Sequence, residues 1–205
     1  NDFKGVIFMP SPMIHLLTAH EVNPNAHALF WVGNLAPDYI NERELKDKIH
    51  FRNHPKRIEA LAKLKTEIDI ANPFEEGWLL HLFTDLYWDE IYIPIFKEKC
   101  KKSNATSDWF TNYRKETTLA SFYIYHNFDW SQHVWNKILN ANLKTLSSHL
   151  PITQTDIEFY IEQLYKRHSG STASSYSFEY HKELLINFSK ETAKKYLKWL
   201  KITDT

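Results

Sequence analysis

Between Asn72 and Ile91 the chain reads NPFEEGWLLHLFTDLYWDEI. From Phe74 to Trp88 it is apolar except at two glutamates, Gly77, His81, Thr84 and Asp85. Asn72 followed by Pro73 is a helix start: Asn caps, and proline suits a first turn whose N–H groups lack partners anyway. A helix that is apolar on nearly every side is a buried one. His81 and Asp85 stand four residues apart and so share a face of it. A buried carboxylate without a partner is costly, so this stretch is both the centre of the fold and the first place to look for chemistry.

The pattern on either side predicts more helices. Ser11-Pro12 repeats the start signal before MIHLLTAHEV, which carries His15 and His20, and Asn23-Pro24 repeats it before NAHALFWVG, with Gly33 as the closing residue. NLAPDYI reads as a loop carrying Asp38, because the residue before Pro37 is driven out of helical geometry. ELKDKIHFRNHP brings His50 and His54, and Pro55 opens a helix through KRIEALAKLKTEID. Pro94 is expected to end or kink the central helix. Asp108 and Asp129 cap helices over residues 109–128 and 130–146, and Thr155 with Glu158 matches a capping box for residues 156–168, closed by Gly170. After the loop SGSTASSYS, a final amphipathic helix spans residues 178–202, and its lysines read as a solvated face. The opening FKGVIFMPSP reads as extended. With no repeat and no break, residues 1–205 predict one all-α domain, a bundle of about seven to nine helices.

Composition narrows the function. The 25 basic and 25 acidic residues balance, which gives no electrostatic reason to expect a long nucleic acid or an anionic membrane as partner. The single Cys100, in the polar run KEKCKK, excludes an internal disulfide and reads as a surface thiol. No apolar run is long enough for a transmembrane segment and no signal-peptide pattern is visible, so the expected location is cytoplasmic.

Five polar residues stand in apolar surroundings: His15, Asp38, His50, His81 and Asp85. Three imidazoles and two carboxylates are a suitable donor set for zinc, and two aspartates neutralise one divalent ion. The same His and Asp pair at helical spacing is also what a plain buried hydrogen bond would use. Other signatures are missing: there is no HExxH, no ExxH, no His-Asp doublet, no phosphate-binding glycine loop and no GxSxG elbow. Trp78, Tyr87, Trp88 and Phe51 flank the five residues and read as core or as an apolar wall for a ligand.

The order of these segments carries a resemblance. MPSPMIHLLTAHEV, then GNLAPDYI, then KIHF, then GWLLHLFTDLYW, within residues 9–88, resembles the zinc-dependent phospholipase C family of the phospholipase C/P1 nuclease superfamily. The resemblance implies the all-α multi-helix fold of that family over the single domain. It implies that Asp38, His50, His81 and Asp85 hold one zinc, that Asp85 bridges towards a second ion, and that His15 contributes to that second ion, with one to three ions in all. Asp38 and Asp85 would be the catalytic carboxylates beside a zinc-activated water that attacks phosphorus in a phosphoester small molecule or a phospholipid head group. The chain departs from the family in its second half. Fourteen residues precede His15, so the family's N-terminal amine ligand is not assumed here, and no HxxxE pair occurs. Asp89 and His126 are the candidates for a second site. A descendant with a structural ion, acting as a binding or interaction protein, is the alternative, and a nuclease or nucleotidase is a further one.

Overall fold

The computed structural model describes residues 11–40, 42–102, 108–146, 149 and 151–201; the opening segment expected to be extended lies, up to Pro10, outside them. Among the described residues there are nine α-helices, two 3-10 turns and no strand. The helices are α1 (Pro12–Val22), α2 (Ala28–Leu35), α3 (Arg43–Ile49), α4 (Arg57–Glu67), α5 (Pro73–Lys102), α6 (Trp109–Asn127), α7 (Trp130–Leu139), α8 (Gln154–Ser169) and α9 (Lys182–Leu200). The 3-10 turns are Ala36–Tyr39 and Leu143–Thr145.

Helix α5 is the axis of the molecule. It packs against α1, α2, α4, α6 and α9, and its first half, from Phe74 to Leu86, is buried almost without interruption. Asn72 starts it as expected, its side-chain oxygen accepting from the Phe74 N–H at 3.0 Å. Pro94 does not end it: the helix runs on to Lys102. Pro94 and Glu90, whose carbonyl loses its helical donor there, both lie on the exposed side, so solvent replaces the missing bond.

The tightest packing in the fold is between α2 and α5. A methyl group built at Gly33 would overlap the Phe74 carbonyl, and one built at Gly77 would overlap the Phe30 carbonyl. Each glycine therefore admits the backbone of the other helix where any side chain would hold it away. This corrects the expectation that Gly33 closes a helix, since α2 continues past it to Leu35.

Other boundaries move for local reasons. Asn23 accepts from the Asn25 N–H, making a turn of its own, so α2 starts later with His27 as its cap. The loop expected at residues 34–40 is the end of α2 followed by a 3-10 turn. The capping box of α8 is Thr153 with Asp156, two residues before the expected pair. Helix α7 stops at Leu139 because Asn140 and Asn142 bond to nearby backbone. Helix α9 starts at Lys182 because the Glu116 carboxylate accepts from the Ser177 hydroxyl and from the Phe178 and Glu179 N–H groups at 2.7, 2.9 and 3.2 Å, which fixes that segment outside the helix.

Gly77→Ala tests the crossing. Alanine favours a helix over glycine by about 1 kcal/mol, yet here overpacking should outweigh that gain and leave a net loss of about 2 kcal/mol. Urea unfolding of the variant measures the difference, and a stability equal to or above that of the parent would refute the close approach.

Candidate metal centre

Four elements converge on one buried point. Helix α1 brings His15, the 3-10 turn after α2 brings Asp38, the C-terminal end of α3 brings His50, and α5 brings His81 and Asp85. His50 caps α3, and Phe51 after it adopts φ 53°, the sole positive φ among the described residues. A left-handed bulky residue is strained, and here it turns the chain sharply just past His50.

Both groupings of side chains with metal-ligand geometry lie here: Asp38, His50 and His81 in one, His15, His81 and Asp85 in the other. These buried His and Asp groups could hold a metal ion. His50 Nε2 lies 3.2 Å from His81 Nε2 and 3.6 Å from Asp38 Oδ1. His81 Nε2 is also 3.6 Å from Asp38 Oδ1. Asp85 Oδ2 lies 3.6 Å from His50 Nε2 and 3.8 Å from His81 Nε2. Tetrahedral coordination at zinc–ligand lengths of ~2.0–2.1 Å separates donors by about 3.3 Å. His50 Nε2, His81 Nε2 and Asp38 Oδ1 stand 3.2, 3.6 and 3.6 Å apart, close to three edges of such a tetrahedron, while Asp85 falls in the other grouping. The second Asp85 oxygen, Oδ1, points elsewhere and lies 3.2 Å from His15 Nε2.

The tautomers sharpen this picture. His50 Nδ1 is 2.8 Å from the Lys46 carbonyl and His81 Nδ1 is 2.8 Å from the Asn34 carbonyl. Carbonyls only accept, so both Nδ1 atoms carry hydrogen, and each Nε2 is left as the atom that faces the centre. Burial, with His15 as neighbour, pulls His81 down to about 3, so its ring is neutral at ordinary pH. His50 Nε2 stands 3.2 Å from the lone pair on His81 Nε2, so the contact holds either a proton or a cation between the two nitrogens. An imidazole anchored through Nδ1 to a carbonyl is also how metal-bound histidines are oriented. Asp38 Oδ1, Asp85 Oδ1 and both His15 nitrogens are buried with no hydrogen-bond partner, and such orphans call for an explanation.

Charged neighbours hold the carboxylates. Lys46, 3% exposed, places Nζ 3.7 Å from Asp38 Oδ1 and donates to the Asp38 carbonyl at 3.2 Å. Burial alone would raise the Asp38 carboxyl, but Lys46 and the neighbouring histidines outweigh it and hold it below the usual range. Arg52 donates to Asp85 Oδ2 at 3.3 Å and lies within 3.7 Å of Asp89.

The two second-site candidates lie outside both groupings. Asp89 pairs with Arg57 at 2.9 Å, and burial together with Asp85 pushes it up to about 6 against the pull of Arg52 and Arg57. His126 meets the Ser171 hydroxyl at 2.9 Å. Trp78 and Trp88 are core, 5% and 0% exposed, and the Trp88 indole donates to the Tyr113 hydroxyl.

Sequence reasoning gave His168 no role. It is buried, its Nδ1 on the Leu164 carbonyl at 2.7 Å and its Nε2 on the Ser121 hydroxyl at 2.8 Å. Ser121 in turn accepts from the Met13 N–H at 3.4 Å, so His168 braces the first turn of α1, two residues before His15. The i, i+4 spacing of Leu164 and His168 on an amphipathic helix was the available signal. Comparison with models of known families, with curated proteins and with solved structures finds no match.

Burial pulls His168 down to about 4 from an ordinary 6.5. Below pH 6.5 the unfolded chain takes up this proton while the folded chain does not, so the stability present above that pH should fall as pH drops towards 4. Urea midpoints across that range measure the slope. His168→Gln should flatten it, and an unchanged slope would assign the acid sensitivity to other groups.

Proposed function

We propose that the protein is a metal-dependent phosphoester hydrolase of the phospholipase C type, with zinc as its ion. The observation that carries this reading is the pair of Nε2 atoms 3.2 Å apart, each ring fixed by an Nδ1 bond to a backbone carbonyl. Carboxylate oxygens of Asp38 and Asp85 lie 3.6 to 3.8 Å from these two nitrogens, and mixed nitrogen and oxygen donors at this spacing suit zinc. A bound zinc would supply Lewis acidity towards a phosphoryl oxygen and an acidified water.

The chain's own groups have distinct parts in this. His50 and His81 present their Nε2 atoms in fixed orientation, at no cost in ring reorientation when the ion binds. Asp85 uses both oxygens, Oδ2 towards His50 and His81 and Oδ1 towards His15, as a carboxylate shared between two ions would. Asp38, at 7% exposure, is the donor nearest solvent and so the one placed to accept a proton from an arriving water. Lys46 and Arg52 keep positive charge beside the same carboxylates, which favours an anionic substrate over a neutral one.

A second reading has its own support. All five donors are 7% exposed or less, and two surface grooves lie along α9, lined by none of the five. A closed four-ligand site is the mark of a structural ion, which would brace α1, α2, α3 and α5 in an interaction protein.

Elemental analysis of untagged protein, with hydrolysis assays on a phosphodiester and a phosphomonoester, separates the two. For a hydrolase, Asp38→Asn should cut turnover by about 100-fold or more when assayed well below the melting temperature of the variant, which loss of the buried partner of Lys46 will lower. For a structural ion, no ester is hydrolysed, and chelation lowers the melting temperature by several degrees. Protein that holds no metal as purified and takes up none on titration would sink both readings.

A further inference from the structure

The last helix carries a charge imbalance that the composition conceals. The chain is neutral as a whole, yet from Lys182 to Lys201 it has six lysines and two glutamates. Four of these lysines, Lys190, Lys194, Lys198 and Lys201, fall at spacings of four, four and three and share one exposed face. They line a groove of about 450 Å³ between α1 and α9, with Glu21 as the single acidic group on its wall. Among the described residues none of the four forms an ion pair, whereas Lys63, Lys99, Lys102 and Lys166 all do. Like charges four apart on a helix repel, so an anionic surface laid against this face would relieve a cost that the isolated protein bears.

We propose that this face of α9 docks on an anionic lipid surface. The residue between the lysines favours lipid over nucleic acid. Leu197 is 39% exposed within the row, placed to enter the head-group region while the lysine stems lie flat and their ammonium groups reach phosphate. The face presents neither arginine nor an aromatic ring, the groups that grip phosphate in two-pronged fashion and stack on bases. The opposite face of α9 is committed to the core through Leu185, Phe188, Thr192 and Tyr196, so the helix docks from outside without leaving the bundle. This inference is independent of the hydrolase reading and stands whether or not the centre binds metal.

The test is co-sedimentation of the full chain, untreated and chelator-stripped, with phosphatidylcholine vesicles that contain or lack about 30% phosphatidylserine. Binding to the anionic vesicles alone, lost on raising salt from about 0.05 to about 0.5 M, is the expected result in both preparations. Lys190→Gln, Lys194→Gln and Lys198→Gln combined should weaken it at least tenfold, while Lys63→Gln with Lys102→Gln, which removes lysines already paired, should not. Absence of binding at low salt, equal binding to neutral vesicles, or equal loss in both sets of variants would overturn the proposal. So would a single-stranded oligonucleotide that competes fully with the vesicles at equal charge.

Discussion

The backbone contact between α2 and α5 is the constraint on which the centre depends. Gly33 and Gly77 let each helix rest on a carbonyl of the other, Phe74 in one direction and Phe30 in the opposite one. That approach brings the Asn34 side chain to the Gly77 carbonyl at 3.3 Å and the Asn34 carbonyl to His81 Nδ1 at 2.8 Å. The second of these bonds fixes the ring and tautomer of His81. Asp38 follows four residues after Asn34 on the 3-10 turn that continues α2, so its position too is inherited from the crossing. The two glycines are packing residues, and they act on chemistry by placing a carbonyl opposite an imidazole.

Around that point the interior balances its charges. Asp38, Asp85 and Asp89 are met by Lys46, Arg52 and Arg57, so three ion pairs stand in and at the edge of the core around the centre. Pairs of this kind contribute little net stability against their desolvation, but removing one partner is expensive. The balance has a consequence for ligands. The carboxylates are already matched by fixed cations, so a divalent ion held by His50, His81, Asp38 and Asp85 would leave the centre about two units positive. The natural complement of such a centre is an oxyanion, which is why the phosphoester reading draws as much on Lys46 and Arg52 as on the donors. Both cations lay outside the sequence reading. Lys46 in RELKDKI and Arg52 in HFRN look like ordinary surface charges, and only the turn at Phe51 and the pairing of α3 with the 3-10 turn bring them inside.

The all-α class and most helices were legible because apolar periodicity and cap residues act locally. Asn72 and Asp108 cap where the pattern places them. Errors arose where a tertiary contact outweighed a local signal. Glu116, for example, gathers donors from the segment before α9. The five metal-donor candidates were legible as a set because each is a polar residue in apolar surroundings, and the structure brings all five to one point. Their connections were not. Which Asp85 oxygen faces which histidine, and which nitrogen of each ring is spent on a carbonyl, follow from the crossing of helices distant in sequence. His168 was missed for a related reason: its partners, Ser121 and through it Met13, are 47 and 155 residues away.

Whole-chain charge was the least informative quantity, because it averages over two opposite arrangements. In the core, cations and carboxylates are interleaved at 2.9 to 3.7 Å and leave little field at a distance. On α9 the same kinds of residue are segregated, and the field adds along the row. Screening length decides which arrangement a partner senses. At physiological salt it is about 8 Å, longer than the one-turn rise of about 5.4 Å between neighbouring lysines on the row and shorter than the separation of most surface charges on a domain of this size. A partner approaching α9 therefore meets a coherent positive face even though the formal charges of the chain balance, and exclusion of polyanionic surfaces on grounds of neutrality does not extend to that face.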